Sequence, residues 1–441
     1  MRPSGPRCLF RGESGILLVS GVRPLRPTLW ARLRFQILGG ILIAALLPFV
    51  LRLAIYGVSN DLGVLNNTLI GTILAIVVGA WLMRNVGTYP GAEALASALP
   101  SFCVAFGVLL IVFVFGRIPY NRVNLSAGFI LALAWFFVLG AIVQRRQRLR
   151  IGVLPFGSAA SLQDFSHVTW RVLHTPDDGV DGLDAVAADL RIDLPSEWDR
   201  KLADYALAHV PVYHVKHLLE SLTGQVELEH LSENSFGSLA PRQDYMRLKW
   251  ALDWCAALMA GIVLLPLLIF VAVLVRATSR GPALFRQERI GYQGRSFTVY
   301  KFRTMKVAPP DKGEARNLAI TQDRDDRITP LGGLLRKSRI DELPQILNVL
   351  KGEMSWIGPR PEAAVLSRWY EQEIPFYRYR HIVRPGIAGW AQVCQGHVAD
   401  VDAVRTKLHY DFYYIKHYSP WIDLLIVVRT IRTMLTGYGA R

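Results

Sequence analysis

Four apolar runs, each long enough to cross a bilayer, occupy roughly 35–56, 64–83, 101–118 and 125–144. A hydrocarbon core about 30 Å thick takes about 20 helical residues, so the first third of the chain is expected to form membrane helices. Composition agrees: of 441 residues, 51% are hydrophobic and only 19% charged. The formal net charge of +15 points to anionic partners, and with this apolar content it favours lipid head groups and phosphorylated metabolites. A nucleic-acid binder would explain the charge but not the apolar segments. The four cysteines, Cys8, Cys103, Cys255 and Cys394, are scattered without metal-ligand spacing, so neither a disulfide framework nor a zinc site is expected.

Residues 1–34 are rich in Arg and Pro and lack a small-residue cleavage pattern, so they read as a disordered basic tail and not as a signal peptide. Arginines crowd the flank before the first run, and RRQRLR (145–150) follows the fourth. The positive-inside bias therefore puts both ends of a 35–145 four-helix region in the cytoplasm, with Arg117 and Arg122 a minor conflict outside. Residues 146–240 then change texture. IGVLPFG, VTWRVL, LDAVAADL and VPVYHV alternate with polar helical stretches, which predicts a small parallel α/β sheet. Its glycine turn does not match GxGxxG, so a docking or regulatory module is the plainer expectation.

A fifth apolar stretch, 248–275, opens the remaining 241–441 segment. Lys249 flanks one end, and Arg276, Arg280 and Arg286 lie at or beyond the other. Pro266 in its middle removes an amide donor and crowds the carbonyl of Ile262, so a kink or break is predicted there. A crossing helix would carry the basic domain after it to the outside. A helix broken at Pro266 that re-enters the cytoplasmic face satisfies both the length and the charge bias. Near the C-terminus, Trp421, Leu424, Leu425, Val428, Ile431 and Leu435 share one helical face, as either an interfacial or a core helix requires.

RKSRIDELPQILNVLKG (336–352) sets Asp341 and Glu342 side by side after three basic residues. One reading is structural: Asp caps a helix, Glu and Pro suit its first turn, Leu343, Ile346, Leu347 and Leu350 form its buried face, and Gly352 ends it. The other is chemical. Amides at a helix start hold a carboxylate ionised and bind phosphoryl oxygens. Phosphate-binding side chains also crowd the neighbourhood: Lys301 and Arg303 in YKFRTM, Arg336 and Arg339 before the pair, and Arg360 in the proline-stiffened GPRPE.

Four segments, FRQERIGYQGRSFTVYKFRTM, LGGLLRKSRIDELPQILNVLKGEMSWIGPRPE, HIVRPGIAGWAQV and KLHYDFYYIKHYSPWIDLL, resemble in order and spacing the bacterial sugar transferase family. These are monotopic polyprenyl-phosphate phosphoglycosyl transferases, and the resemblance covers about 245–441. Four spans before a small α/β domain look like the large, polysaccharide-initiating branch. The resemblance implies a membrane protein of α + α/β class: four transmembrane helices, a small Rossmann-like domain and a re-entrant-helix α/β catalytic domain at the cytoplasmic face of a bacterial inner membrane.

The implied reaction is attack by Asp341 on the β-phosphorus of a UDP-sugar with Mg²⁺ bound by Asp341 and Glu342. UMP leaves, and the phosphosugar passes to undecaprenyl phosphate. Lys301, Arg336 and Arg360 are the implied phosphate contacts, beside Arg303, a candidate by residue type and proximity, and Glu342 is the implied proton acceptor or metal organiser. UDP-glucose or UDP-galactose is the expected donor, with a UDP-N-acetylhexosamine as the alternative; anionic membrane lipid is a further expected partner, and homo-oligomerisation is left open. The rival classes are a non-catalytic scaffold or regulator of polysaccharide assembly and a transporter, though a transporter would want polar groups inside its spans. The sequence departs from the family pattern at Leu265, where Ser often precedes the proline, and at Cys394-Gln395, where Asn-Gly commonly follows GWAQV. HYDFYY lacks metal-like spacing, which leaves Asp411 as a hydrogen-bonding support.

Overall fold

Apolar runs of this length fold as helices because helical backbone satisfies its own polar groups. The computed structural model describes residues 29–57, 62–86, 94–146, 149–158, 162, 168–227, 241–306, 327–395 and 401–436. The expected tail up to residue 28 and the side chains of Arg432 and Leu435 lie outside the described residues. The chain divides into a unit of Phe10–Gly224 and a unit containing Gln225–Arg441.

In the first unit, α1 (Leu33–Tyr56), α2 (Leu62–Val86), α3 (Ala94–Phe115) and α4 (Arg122–Arg146) occupy the four apolar runs. α1 widens into a π turn at Ile41–Leu46, just ahead of Pro48, which lacks the amide an α-helical register would use there. The helices pack on one another through Ala45, Ile76, Phe102 and Phe136, with the last two rings 4.7 Å apart. Their outer faces remain apolar: Phe115 is 83% exposed and Ile55 70%. Such a surface requires a lipid environment, and the chain is a membrane protein.

Four short strands come next: β1 (Arg150–Val153), β2 (Thr169–Val172), β3 (Ala185–Ala188) and β4 (Val212–His214). They form a wholly parallel sheet in the order β2-β1-β3-β4. α5 (Ser196–Leu207) and α6 (Val215–Thr223) cover its two faces. Strand alternation sends Ile151, Val153, Ala185 and Ala187 toward Leu218 and Leu222 of α6. Val186 and Ala188 turn toward Trp198, Leu202 and Tyr205 of α5.

The second unit begins with α7 (Gln243–Thr278), 36 residues long. Of the kink or break predicted at Pro266, the break does not occur: the helix continues through the proline. A proline deletes one amide donor, while the turns on either side keep theirs. Both halves of α7 pack on the segments C-terminal to it. Ala257 and Leu264 meet Val299, Ile346 and Val349, and Val271 and Val275 meet Phe302 and Leu335. The remaining face is open, with Val263 75% exposed.

β5 (Leu284–Ile290) and β6 (Ser296–Phe302) form an antiparallel hairpin. α8 (Pro330–Lys337), a 3₁₀ turn (Ile340–Gln345) and α9 (Ile346–Leu350) cross beneath it. β7 (Ser355–Ile357) pairs in parallel with β8 (Gly386–Ala388), with α10 (Ala364–Glu373) between them in sequence. α11 (Trp390–Gln395), α12 (Val401–Lys416) and α13 (Pro420–Thr436) complete the unit. α13 is a core helix: Ile422, Leu425 and Ile426 are buried while Ile431 is exposed, so its inner face is rotated from the stripe the sequence suggests. Similarly, Leu347 of α9 is exposed, and Asn348 takes a buried place instead.

Polar groups clamp the start of α7. Asp423 of α13 accepts from Tyr245 at 2.6 Å and Tyr414 at 2.8 Å, and pairs with buried Lys249 at 2.8 Å. Ser355 donates to Asp253 at 2.5 Å. A buried charge that loses its partner is destabilising, so Asp423→Ala is expected to cost about 3–5 kcal/mol. It should lower the thermal midpoint of the detergent-solubilised protein, whereas an unchanged midpoint would show that the clamp carries no load.

Candidate active site

Asp341 does not cap a helix. The 3₁₀ turn that holds it starts at Arg339, which adopts a left-handed conformation (φ 60°), and no side chain caps the turn. The backbone reverses after α8 and delivers Asp341 and Glu342 inward, 8% and 7% exposed. Four elements then converge. The 3₁₀ turn supplies the two acids, β6 supplies Lys301, and the loop after β7 supplies Arg360. β5 contributes Arg289, whose guanidinium donates to the Pro361 carbonyl and to Gln287.

Glu342 is engaged through both oxygens. Oε1 accepts from Arg360 at 2.6 Å and from Lys301 at 3.1 Å, and Oε2 accepts from Arg360 at 3.2 Å. Arg339, largely solvent-facing, stands 3.8 Å away. Burial would raise the Glu342 pKa, but Arg360 and Lys301 outweigh it and hold the carboxyl well below its ordinary range. Asp341 goes the other way: burial and the neighbouring Glu342 charge raise it, only partly offset by Lys301, Arg339 and Arg360. Lys301 is pushed down to about 8 by burial and by Arg360, against the pull of Glu342. One acid is therefore a fixed anion, and its neighbour is more basic than an ordinary aspartate. Adjacent carboxylates with divergent proton affinities are a frequent mark of a chemical site.

Asp341 Oδ1 is buried with no hydrogen-bond partner. No hydrogen bond from the described residues engages the Asp341 carboxylate, which leaves it available for a cation or an electrophile. Glu342 offers no free oxygen in this arrangement, and no cluster of three or more His, Cys, Asp or Glu side chains occurs among the described residues. One unengaged carboxylate suits Mg²⁺, which is commonly held by one or two carboxylates plus substrate phosphates.

Of the residues singled out in the sequence, Asp341, Glu342, Lys301 and Arg360 meet. Arg303 and Arg336 do not join the Glu342 cluster. The Arg303 guanidinium donates to the backbone and hydroxyl of Ser279, both at 2.8 Å, at the end of α7. Arg336 Nε donates to Thr304 at 2.9 Å. Both turn aside because Arg303 follows the end of β6 and Arg336 lies on α8, before the reversal at Arg339.

Sequence reasoning missed the support behind Arg360. Arg380 donates to the Arg360 carbonyl at 2.7 Å and pairs with Asp411 at 2.8 Å, both side chains buried. Asp411 is thus the positioning group its hydrogen-bonding capacity suggested. Glu362 contacts Lys407, and its carboxyl stays far below the usual range because Lys407, Arg380 and Arg289 outweigh its burial. Asn348 was also missed. Its amide accepts from the Tyr300 N–H at 3.2 Å and donates to the Thr298 carbonyl at 2.7 Å, which fixes β6 and Lys301 against α9. The unmatched polar residue on an otherwise apolar helical stripe was the available signal.

Comparison with known proteins gives three relevant likenesses. A family model described as bacterial sugar transferase matches residues 244–437. Over 376 residues, 85% of this chain and 88% of the relative, the sequence is 46% identical to the UDP-N-acetylgalactosamine-undecaprenyl-phosphate N-acetylgalactosaminephosphotransferase of Aeromonas hydrophila. It is 41% identical over 206 residues, 46% of this chain and 76% of the relative, to a UDP-glucose:undecaprenyl-phosphate glucose-1-phosphate transferase of Caulobacter vibrioides.

The electrostatics predict a measurable asymmetry. Carbon-13 NMR of labelled side-chain carboxyls should place the Asp341 midpoint above the ordinary aspartate value of about 4. Glu342→Gln, which removes a neighbouring negative charge, should move that midpoint down. A midpoint that stays put or rises would rule out the coupling described here.

Proposed function

The chain belongs to the bacterial sugar transferase family, and from that premise we infer that it transfers a sugar phosphate from a UDP-sugar to undecaprenyl phosphate, releasing UMP. The observation that carries the mechanism is the division of labour between the two acids. Glu342 is neutralised by Arg360 and Lys301, while Asp341 keeps an unpartnered oxygen of raised basicity.

A carboxylate oxygen of Asp341 forms a bond to the β-phosphorus of the donor as the bond from that phosphorus to the bridging oxygen breaks. UMP leaves with the electron pair, and the phosphosugar stays on Asp341. An oxygen of the lipid phosphate then attacks the same phosphorus, and Asp341 departs as a carboxylate. Covalent catalysis divides one difficult transfer into two. Lys301 and Arg360 keep Glu342 anionic and place positive charge beside the transferring group, where it is most effective in a loose phosphoryl transition state. Mg²⁺, bound through Asp341 and the donor phosphates, would supply further charge neutralisation. Glu342 then anchors the cations and is not itself the principal metal ligand.

The donor is proposed to be UDP-N-acetylgalactosamine or a related N-acetylhexosamine. What supports this reading is that the relative matching 85% of this chain is named for that sugar, while the Caulobacter relative matches 46% of it and is named for glucose. UDP-glucose is the second reading. The four N-terminal helices are proposed to cross the inner membrane with both ends cytoplasmic, and the sheet of the first unit to be a Rossmann-like accessory module. α7 is proposed to kink at Pro266, where the missing amide weakens one helical turn, and so to enter and leave the cytoplasmic leaflet. Packing of both Ala257 and Val275 against one catalytic domain supports that path, because a crossing helix would draw the basic domain into the hydrocarbon.

UMP release by the detergent-solubilised protein with Mg²⁺ and a polyprenyl phosphate, across a panel of UDP-sugars, tests the reading. UDP-N-acetylgalactosamine should give the fastest turnover, and Asp341→Asn should abolish it; undiminished release by that variant would return the acid to a structural role. The pH–rate profile should fall on the acid side as Asp341 gains its proton. It should also fall on the alkaline side near 8, where Lys301 loses its own. Lys301→Arg should move the alkaline limb upward, and a limb that stays in place would exclude Lys301 as its source.

A further inference from the structure

The turn that carries the acid pair ends on a second unmet polar group. Gln345, the last residue of the 3₁₀ turn Ile340–Gln345, is 2% exposed, and its side-chain Nε2 is buried with no hydrogen-bond partner. A buried amide donor without an acceptor costs free energy. The fold satisfies such a group three residues on. Asn348 Nδ2 donates to the Thr298 carbonyl at 2.7 Å and to Glu353 at 2.8 Å, while its Oδ1 accepts from Tyr300. Two buried amides therefore lie on consecutive turns, one fully engaged and one not.

Backbone geometry aims the unmet amide at the acids. Residues three apart eclipse in a 3₁₀ turn, so Gln345 shares the face of Glu342, about 6 Å further along the axis. Helical side chains lean toward the N-terminal end, which carries the Gln345 amide back over Asp341 and Glu342. Glu342 does not take it, because both its oxygens are used by Arg360 and Lys301. Asp341 does not take it either: Asp341 Oδ1, an acceptor, and Gln345 Nε2, a donor, are each buried and unmet on one turn. A bound group that serves both must offer something to a carboxylate and accept from an amide. A bare cation meets only the first demand. A phosphoryl group meets both, through its electrophilic phosphorus and its non-bridging oxygens.

We propose that the side-chain amide of Gln345 donates a hydrogen bond to a non-bridging oxygen of the phosphoryl group transferred to Asp341, which makes it a catalytic residue. This rests on the functional reading above and adds a neutral donor to the cations beside the acid pair. Gln345 gives up no proton. As the bond from Asp341 to the β-phosphorus forms, the bond to the bridging oxygen breaks and its electron pair leaves on UMP. The non-bridging oxygens keep their charge, and one of them stays bonded to the amide until the lipid phosphate takes the phosphosugar. A donor fixed before the reaction needs no reorganisation during it.

The full-length protein in nanodiscs tests the assignment. Gln345→Met should slow the single-turnover UMP burst about tenfold to a hundredfold. The factor should be the same for UDP-N-acetylgalactosamine and UDP-glucose, whose phosphoryl groups are alike. An undiminished burst overturns the proposal. A slowing confined to one sugar also does, since it assigns Gln345 to the sugar. The thermal midpoint without substrate should hold or rise, because an apolar group of similar length replaces an unmet donor. The Asp341 carboxyl midpoint should not move; a rise would show that the amide serves Asp341 in the ligand-free fold, and overturns the proposal. Nitrogen-15 NMR of labelled glutamine side chains supplies a test on the wild type, with the Gln345 signal identified by its loss in whichever of Gln345→Met and Gln345→Glu folds. That signal should shift on addition of Mg²⁺ with inorganic pyrophosphate, a probe with phosphoryl oxygens and no sugar. An unmoved signal at saturating pyrophosphate overturns the contact. If the wild type releases UMP from no UDP-sugar, the functional reading fails, while this shift still decides whether phosphoryl oxygens meet Gln345.

Discussion

The burial of Glu342 is the constraint around which the catalytic unit is arranged. A carboxylate at 7% exposure survives only if cations meet it at hydrogen-bond distance, because desolvation otherwise costs more than folding can supply. Arg360 and Lys301 meet it, and each must be held in turn. Arg360 is held through its carbonyl by Arg380, and Arg380 by Asp411. Lys301 is held because Asn348 ties β6 to α9. Residues as far apart in sequence as Lys301 and Asp411 thus answer to one charge, and the unengaged carboxylate of Asp341 is what remains once that charge is satisfied.

The membrane imposes the other constraint. α7 offers apolar side chains on most of its surface, yet its first turns are tied to the catalytic unit by Lys249, Asp253 and Tyr245. These polar groups are stable there because Asp423, Ser355 and Tyr414 complete their hydrogen bonds. Ser355 lies on β7, whose chain runs on to Arg360. The clamp therefore links α7, through one short strand, to the chain that carries Arg360, the partner of Glu342.

Some of this is legible in the residues alone. The apolar runs mark four helices to within a few positions, since only their length and hydropathy matter. SFTVYKF forms β6 from end to end, with apolar alternation and β-branched residues suited to a strand. Asp341, Glu342, Lys301 and Arg360 stand out because so many cations around two acids need an anion to justify them. Arg303 and Arg336 look equivalent to them by type and proximity. Proximity in sequence does not say which way a side chain turns after a strand ends or before a chain reversal.

The sequence by itself determined the class of the protein: apolar length calls for a bilayer, and the order of the basic and acidic motifs calls for phosphate chemistry near a carboxylate. Only the tertiary structure decided that the two acids are unlike. Their difference arises from Arg360, 18 residues after Glu342, and Lys301, 41 before it, both spent on Glu342 and not on Asp341. It also decided that the helix continues through Pro266, and that Arg303 faces the end of α7. Local pattern encodes what a segment must bury, but the partner of a buried charge is chosen by the packing of distant segments, which no local pattern contains.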